Sequence, residues 1–306
     1  MKVLITGATG LIGRQLCAQL TGEGHSITVL TRRVESAKSV AHQAAFVWQP
    51  EGSLPPMAAL AGVEAVIHLA GEPVAQRWSL EIKRRIRDSR VLSTRNLVQA
   101  ISQLESAPKV FVSGSAVGIY GNRGDERLAE NTKAGQGFLS DVCAEWEHEA
   151  LQAEAFGTRV ALIRTGVVLD PAGGALKTML PAFKLGIAGK LGNGRQWFPW
   201  IHRDDILGLL RWAMMNENAR GAFNGAAPNP VTNEEFTKEL AAALNRPALI
   251  PVPKFALNIL FGEMASVMLA SQRVVPQAAL NAGFTFRFPQ LREALQDLFK
   301  TGNRQD

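Results

Sequence analysis

The sequence has a single tyrosine, two cysteines and no long apolar run in its 306 residues, and each scarcity excludes something. Cys17 and Cys143 stand far apart in separate helical stretches, so they build neither a disulfide framework nor a cysteine metal cluster. That usage fits a reducing cytoplasm, where the protein is expected. No stretch of 18 apolar residues occurs, so no membrane span is expected, and no membrane partner. Met1-Lys2 leads straight into an apolar strand, so no signal peptide is expected. A formal charge of +6 permits weak nucleic-acid binding. Much of that excess sits in Lys83-Arg84-Arg85-Ile86-Arg87-Asp88-Ser89-Arg90, inside a predicted helix, without the interleaved aromatics that single-strand binding needs. A solvated helix face, with one or two arginines turned toward a cofactor phosphate, explains it better. Nucleic acid is not an expected partner.

What the chain does have is its opening, Met1-Lys2-Val3-Leu4-Ile5-Thr6-Gly7-Ala8-Thr9-Gly10-Leu11-Ile12-Gly13. Val3–Thr6 reads as a buried strand, and Leu11–Leu20 has helical period. Between them Gly7, Gly10 and Gly13 recur every third residue. Strand, glycine-rich turn and helix are what a dinucleotide pyrophosphate requires. Glycines let backbone approach phosphate, and the helix start offers free N–H groups and partial positive charge. The turn from Gly7 through Ala8, Thr9, Gly10, Leu11 and Ile12 to Gly13 is therefore the expected cofactor cradle. The next strand, Ser26–Leu30, ends in Thr31-Arg32-Arg33, where an NAD-preferring site would carry an acid for the ribose hydroxyls. Glu35 is the nearest acid and lies past the strand end. Two guanidiniums suit a 2′-phosphate, so the expected cofactor is NADP(H).

Strand signals recur at Phe46–Trp48, Ala65–Leu69, Lys109–Gly114 and Arg159–Thr165, with helices expected at Ser36–His42, Leu80–Leu104 and Phe138–Ala155. The alternation predicts an α/β fold: a Rossmann-type, doubly wound parallel sheet covered on both faces, with ligands at the carboxyl ends of its strands. Residues 1–170 read as the NADP-binding core. Residues 171–306 read as a smaller, mostly helical C-terminal substrate-side region. That region returns core elements near 197–224 and ends in a helical domain from about 247. Within it Thr232-Asn233-Glu234-Glu235 is a capping box opening a helix to Leu244.

The glycine turn, His68-Leu69-Ala70-Gly71, Ser113-Gly114-Ser115 and Trp200-Ile201-His202-Arg203-Asp204-Asp205 together resemble the extended short-chain dehydrogenase/reductase superfamily. Ala70-Gly71-Glu72-Pro73, Arg164-Thr165-Gly166-Val167-Val168-Leu169 and Gly192-Asn193-Gly194-Arg195-Gln196 are similar to one atypical branch of it. That branch is the "epimerase family" proteins with a C-terminal domain of unknown function, which Gly262-Glu263-Met264 and Ser271-Gln272-Arg273-Val274 also resemble. The resemblance runs essentially end to end. It implies that the backbone of Leu69, Ala70 and Gly71, the side chain of Arg90 and the backbone of Val168 touch the cofactor.

Two departures stand out against that superfamily. Its chemistry rests on a Tyr with a Lys four residues later, on the helix after the fifth strand. Here the sole tyrosine is Tyr120, Gly124 stands four residues on, and the helix offers Phe138 and Val142. Its nucleotide-sugar enzymes also carry an Arg three residues before the Ile-His that corresponds to Ile201-His202. Phe198 stands there, with Arg195 three residues early. The small-molecule substrate therefore stays unassigned, as do catalysis itself and the oligomeric state.

Three groups could substitute for the missing pair. Ser115 aligns with the substrate-orienting Ser, or is a small residue at a crowded strand end. Glu72 follows the fourth strand and is either a general base or a loop cap. Tyr120 could reach the pocket or pack in the core. His68 reads as a satisfied core histidine, His202 and Asp204 as loop organisers, and Cys143 as buried and inert. The two functions that fit are an NADP(H)-dependent oxidoreductase or epimerase-like enzyme, and a non-catalytic NADP(H)-binding sensor or partner-binding protein.

Overall fold

The structure is a computed structural model that describes residues 1–302. Seven strands form one parallel sheet: β1 Lys2–Thr6, β2 Ser26–Thr31, β3 Ala44–Val47, β4 Ala65–His68, β5 Val110–Ala116, β6 Arg159–Thr165 and β7 Gly221–Gly225. Their spatial order is β7-β6-β5-β4-β1-β2-β3. Strand order reverses between β1 and β4, and in such sheets the crevice at the carboxyl ends beside that reversal is the ligand site. The strands are near-continuous runs of Val, Ile, Leu, Ala and Phe because both faces are covered. Ile5, Ile27, Val29, Ile67, Val112 and Ile163 pack to one side with Leu16, Leu20, Leu209 and Leu210. Leu4, Val66, Phe111 and Val160 pack to the other with Leu97, Ile101 and Ala150.

Four long helices matter for the site: α1 Leu11–Gly22, α2 Leu80–Ile101, α3 Phe138–Leu151 and α4 Arg203–Met215. Ser79 caps α2 by accepting from Ile82 N, and the expected end at Leu104 falls at Ile101. Helix α3 is also shorter than expected. It continues only as a 3-10 turn, Gln152–Phe156, before Gly157 at φ 79° ends it in the left-handed region. The helix expected at Ser36–His42 is a single turn, Val34–Ala37, because Val40 N bonds back to Ala37 O and Ser36 and Ser39 favour turns.

Beyond β6 a smaller body assembles from short pieces. Val167–Leu169 pairs in parallel with Trp200–His202, and Trp197–Phe198 pairs antiparallel with Val231–Thr232. The capping box at Thr232 is present, and its helix is α5, Asn233–Ala243. Its core joins Leu176, Phe183, Trp200, Phe236, Leu240 and Leu295. Arg273–Val274 pairs with Arg127–Leu128, which stitches the C-terminal segment to the loop after β5. Among the described residues no helix is long and apolar enough to cross a membrane.

The glycine turn shows why its spacing is tight. A Cβ at Gly13 would stand 2.3 Å from Gly7 O and 2.8 Å from Ala8 Cα, so α1 can pack against the turn only without one. Gly13→Val should therefore lower the thermal midpoint sharply, and a variant melting within a degree of the parent would contradict this packing. Gly7 adds a second constraint, with φ at 69° and a Cβ position 2.6 Å from Leu69 C.

Candidate functional site

The carboxyl edge of β1 and the start of α1 form a concave backbone surface. Gly10 is the N-cap of α1 at φ −75°, and no side chain caps the helix. The N–H groups of its first turn thus face outward with the positive end of the helix dipole. A Cβ on Gly10 would meet only Gly7 O at 3.2 Å and otherwise open space. Gly7, Ala8, Thr9, Gly10, Leu11, Ile12 and Gly13 are all in this turn, and Gly10 is its exposed crest. Such a surface can hold a pyrophosphate.

The end of β2 supplies charge beside it. Thr31 Oγ1 bonds Arg33 O at 3.0 Å and fixes the bend. Arg32 and Arg33 are exposed, and neither guanidinium has a hydrogen bond or ion pair among the described residues. Two adjacent unpaired arginines fit a phosphate dianion.

On the other side of β1, one hydrogen-bonded chain sets the β4 edge. Thr6 Oγ1 accepts from the backbone N–H of Leu69 and Ala70, each at 3.2 Å, so its proton goes to His68 Nδ1 at 2.7 Å. His68 Nε2 then donates to Ser93 Oγ at 3.2 Å, and Ser93 donates to Ser89 O. Burial, with the Arg90 charge, holds the His68 imidazole down to a pKa of about 3. The reading of His68 as a satisfied core histidine fits this geometry. Arg90 lies over the Trp146 ring at 5.4 Å and directly under Gly71, where a Cβ would stand 3.0 Å from its Cζ. Leu69, Ala70, Gly71 and Arg90 thus come together at the β4 edge, and Val168 lies on the short strand that follows β6.

The three candidate proton-transfer groups, Ser115, Tyr120 and Glu72, are placed very differently. Ser115, at the end of β5, is 4% exposed and donates to Glu147 Oε1 at 2.6 Å. Glu147, on α3, is held bidentately by Arg164 of β6, Nε to Oε1 and Nη2 to Oε2, both at 2.8 Å. Arg164 Nη1 reaches Tyr120 Oη at 2.9 Å, and Tyr120 donates to Asn224 Oδ1 at 2.7 Å. Tyr120 is fully buried, and burial pushes its phenol above the ordinary value. Its proton is committed and its ring has no opening to solvent, which argues for packing over chemistry. Glu72 is less enclosed than these two, with 12% of its side chain exposed. It stands on the loop after β4, paired with Arg85 and within 3.4 Å of Gln76 Nε2. Cys143 is buried and its thiol is pushed up to about 12, in keeping with an inert group.

Phe138 and Val142 sit on α3 as expected. Phe138 packs edge-on against Trp78 at 5.1 Å, with Lys83 Nζ 5.2 Å from its ring centroid. The basic run on α2 is largely neutralised. Lys83 pairs with Glu263, Arg85 with Glu72, and Arg87 with Glu145, while Arg90 is turned inward. That leaves little free charge there for a polyanion.

Sequence reasoning passed over Glu147, Asn224 and Glu130. Glu130 accepts from Asn224 N at 2.9 Å and from Ala278 N at 3.0 Å, so one carboxylate fastens the C-terminal segment to β7. The available signal was Glu147 itself, an acid in the buried stripe of α3 with Cys143, Trp146 and Ala150. Between the loop after β5 and the C-terminal segment is a cleft of about 430 Å³ lined by Asn122, Asp125, Arg195, Gln196, Lys254 and Ser271, among others. Ser271 Oγ donates to Gly124 O, and Gln272 Nε2 to the carbonyls of Val117 and Gly121, which fixes this wall.

With that geometry in place, comparison with known proteins is specific. Residues 3–225 match the NAD dependent epimerase/dehydratase family, and residues 252–298 match a domain of unknown function, DUF1731. The chain belongs to that epimerase/dehydratase family. Among its relatives, the epimerase family protein SDR39U1 homolog, chloroplastic, of Arabidopsis thaliana is 43% identical over 98% of this chain and 87% of its own. The epimerase family protein YfhF of Bacillus subtilis is 35% identical over 97% of this chain and 98% of its own. The crystal structure of human epimerase family protein SDR39U1 (isoform 2) with NADPH superposes with a TM-score of 0.86. It shares 32% identity and covers 98% of this chain and 99% of that one. The resemblance carried by the motifs and the doubly wound fold are both confirmed.

The buried pair makes a direct prediction. Removing one partner of such a pair typically costs about 3–5 kcal/mol, because the other charge stays buried and uncompensated. Glu147→Ala should lose stability on that scale by denaturant unfolding, whereas Glu72→Gln, whose partner Arg85 is half exposed and stays hydrated, should stay within about 1 kcal/mol. Equal losses would refute the asymmetry.

Proposed function

We propose that the protein binds NADP(H) and serves as an oxidoreductase or epimerase-like enzyme on a small molecule. The observation that carries the reading is an uncapped helix start beneath an exposed Gly10, next to two unpaired arginines. The first-turn N–H groups of α1, from Leu11, Ile12 and Gly13, would hold the pyrophosphate. Arg32 and Arg33 would take the 2′-phosphate. The backbone of Leu69, Ala70 and Gly71 would line the pyrophosphate, with Arg90 beneath it, and Val168 would approach the nicotinamide ribose. The open space above Gly10 fits a phosphate and would be filled by a side chain. The human relative solved with NADPH supports the same choice of nucleotide. When bound, the cofactor supplies or accepts a hydride; the chain's part is to orient the ligands and to move a proton.

For that proton Glu72 is the favoured group, since it lies on the loop after β4, outside the buried network, and its partner Arg85 is half exposed. Ser115 and Tyr120 have protons committed to Glu147 and Asn224, so they act by fixing the strand ends. The substrate would enter the cleft beside Arg195 and Lys254, neither of which has an ion-pair partner among the described residues. Phe198 packs on Phe236 at 4.4 Å and offers no charge, which weighs against a nucleoside-diphosphate sugar. A second reading, an NADP(H)-binding sensor without turnover, draws on the same closure of Ser115 and Tyr120. The absence of a Tyr-Lys pair suits both.

Calorimetric titration with NADPH and NADH tests the nucleotide. A charge-assisted contact is worth about 1.5–3 kcal/mol, so NADPH should bind roughly ten- to a hundredfold tighter, with Arg32→Ala or Arg33→Ala eroding that margin. Equal affinities would sink the assignment. Gly10→Val should fold normally and lose NADPH, unlike Gly13→Val; normal NADPH binding by Gly10→Val would move the cradle elsewhere.

Chemistry is tested by NADPH oxidation against a panel of carbonyl compounds, repeated with Glu72→Gln. General acid–base help is typically worth about 10²–10⁴-fold, and a loss of that size on Glu72→Gln is expected. Brisk turnover that ignores the substitution would exclude Glu72, and no turnover with any substrate would favour the sensor.

A further inference from the structure

Of the eight large apolar side chains more than half exposed among the described residues, one, Leu80, starts α2; the other seven lie in two segments: Leu185 at 73%, Ile187 at 55%, Leu249 at 83%, Ile250 at 54%, Phe255 at 67%, Ile259 at 68% and Leu260 at 63%. The fold brings those segments together. Ile250 N bonds to Ala188 O and Val252 N to Lys190 O, and Gly186 abuts Pro247. A short helix, Lys254–Phe261, follows at once; of its residues only Leu257 is buried, while Phe255 and Ile259 stand one turn apart on its outer side. The helix is anchored from behind, where Arg77 Nη1 donates to Ile259 O at 2.9 Å.

We propose that this face is where a second copy of the chain docks. At roughly 180 Å² per fully exposed large side chain, the seven residues present about 800 Å². That exceeds the largest apolar patch of a typical monomer, about 300–600 Å², and matches the ~800 Å² per partner of a standard interface. The other broad helical face, formed by α2 and α3, is laced by Arg87–Glu145 and Arg95–Glu149 pairs and offers no such patch. Charge at the patch is sparse. Lys190 is paired with Glu234, and Lys254 faces the polar cleft, which leaves Lys184 and Arg246 at its border. Two cations fall short of the cluster of four to eight that an anionic bilayer surface recruits. An apolar face needs no opposite charge in its partner, so a two-fold related copy satisfies it. The like-charged border repels its own image, so association should tighten as salt rises. The face also adjoins the cleft through Lys254, so docking would order the cleft's outer wall.

Sedimentation equilibrium of the full chain, from about 1 to 100 μM at low and high salt, tests this. The expected result is a dimer mass, twice 33.1 kDa, more populated at high salt. Ile259→Lys with Phe255→Ser, both on exposed positions, should weaken the dimer roughly thirtyfold or more while thermal midpoint and NADPH affinity stay unchanged. A wild-type monomer throughout, or a dimer indifferent to the two substitutions, would overturn the proposal. So would a monomer that sediments with phosphatidylglycerol vesicles and loses that property in the variant, because the face would then serve a lipid surface.

Discussion

The structure turns on a carboxylate and a guanidinium buried side by side. Glu147 and Arg164 come from α3 and β6, and their bidentate contact is nearly shut off from water. Isolated, either charge would be prohibitive there; together, with all three guanidinium nitrogens and both carboxylate oxygens engaged, they are tolerated. The pair is also directional. Its two oxygens and three nitrogens specify where Ser115, Tyr120 and the Glu130 carbonyl must lie. From Tyr120 the chain of hydrogen bonds runs through Asn224 to Val275 O. One ion pair therefore sets the ends of β5, β6 and β7 and the seat of the C-terminal domain.

That arrangement has a chemical consequence. A carboxylate accepts only, so Ser115 must donate to it, and a hydroxyl whose proton is spoken for can no longer protonate a substrate. Tyr120 is in the same position toward Asn224. The residues nearest the family's usual proton-transfer machinery are thus consumed in holding the fold. Glu72 differs because its loop sits outside the sheet, with a partner, Arg85, whose exposed side chain can swing away in water.

The legible and illegible parts of the sequence separate along physical lines. Gly7, Gly10 and Gly13 could be read because a missing side chain at fixed spacing reports a local backbone requirement, and the Thr232 capping box is likewise local. The parallel sheet could be read because its strands are buried on both faces. The Glu147–Arg164 pair could not, since seventeen residues and a helix–strand crossover separate its members and nothing in either neighbourhood names the other. The acid in the buried stripe of α3 announced a partner without saying which. Helix ends were misjudged where tertiary turns cut them short, at Ala37 and Leu151. Glu130 and Asn224 were invisible because their partners lie far away in the chain, most of them backbone groups that carry no sequence signal, and Tyr120 is 104 positions from Asn224.

The same division explains why the cofactor side is easier to interpret than the substrate side. Phosphate is held by backbone N–H groups and by charge, and both leave a mark on composition: glycines in one place, arginines in another. The wall of the cleft is assembled from the loop after β5, the Gly192–Gln196 turn and the C-terminal segment, elements that meet only once Ser271 and Gln272 bind the Val117–Gly124 loop. Its cations, Arg195 and Lys254, lie fifty-nine positions apart in the chain, and each alone reads as an ordinary surface charge. Their meaning arises from a cleft that the fold creates. The cleft is a tertiary product of the fold, while the glycine turn and the paired arginines are local features of the first thirty-three residues.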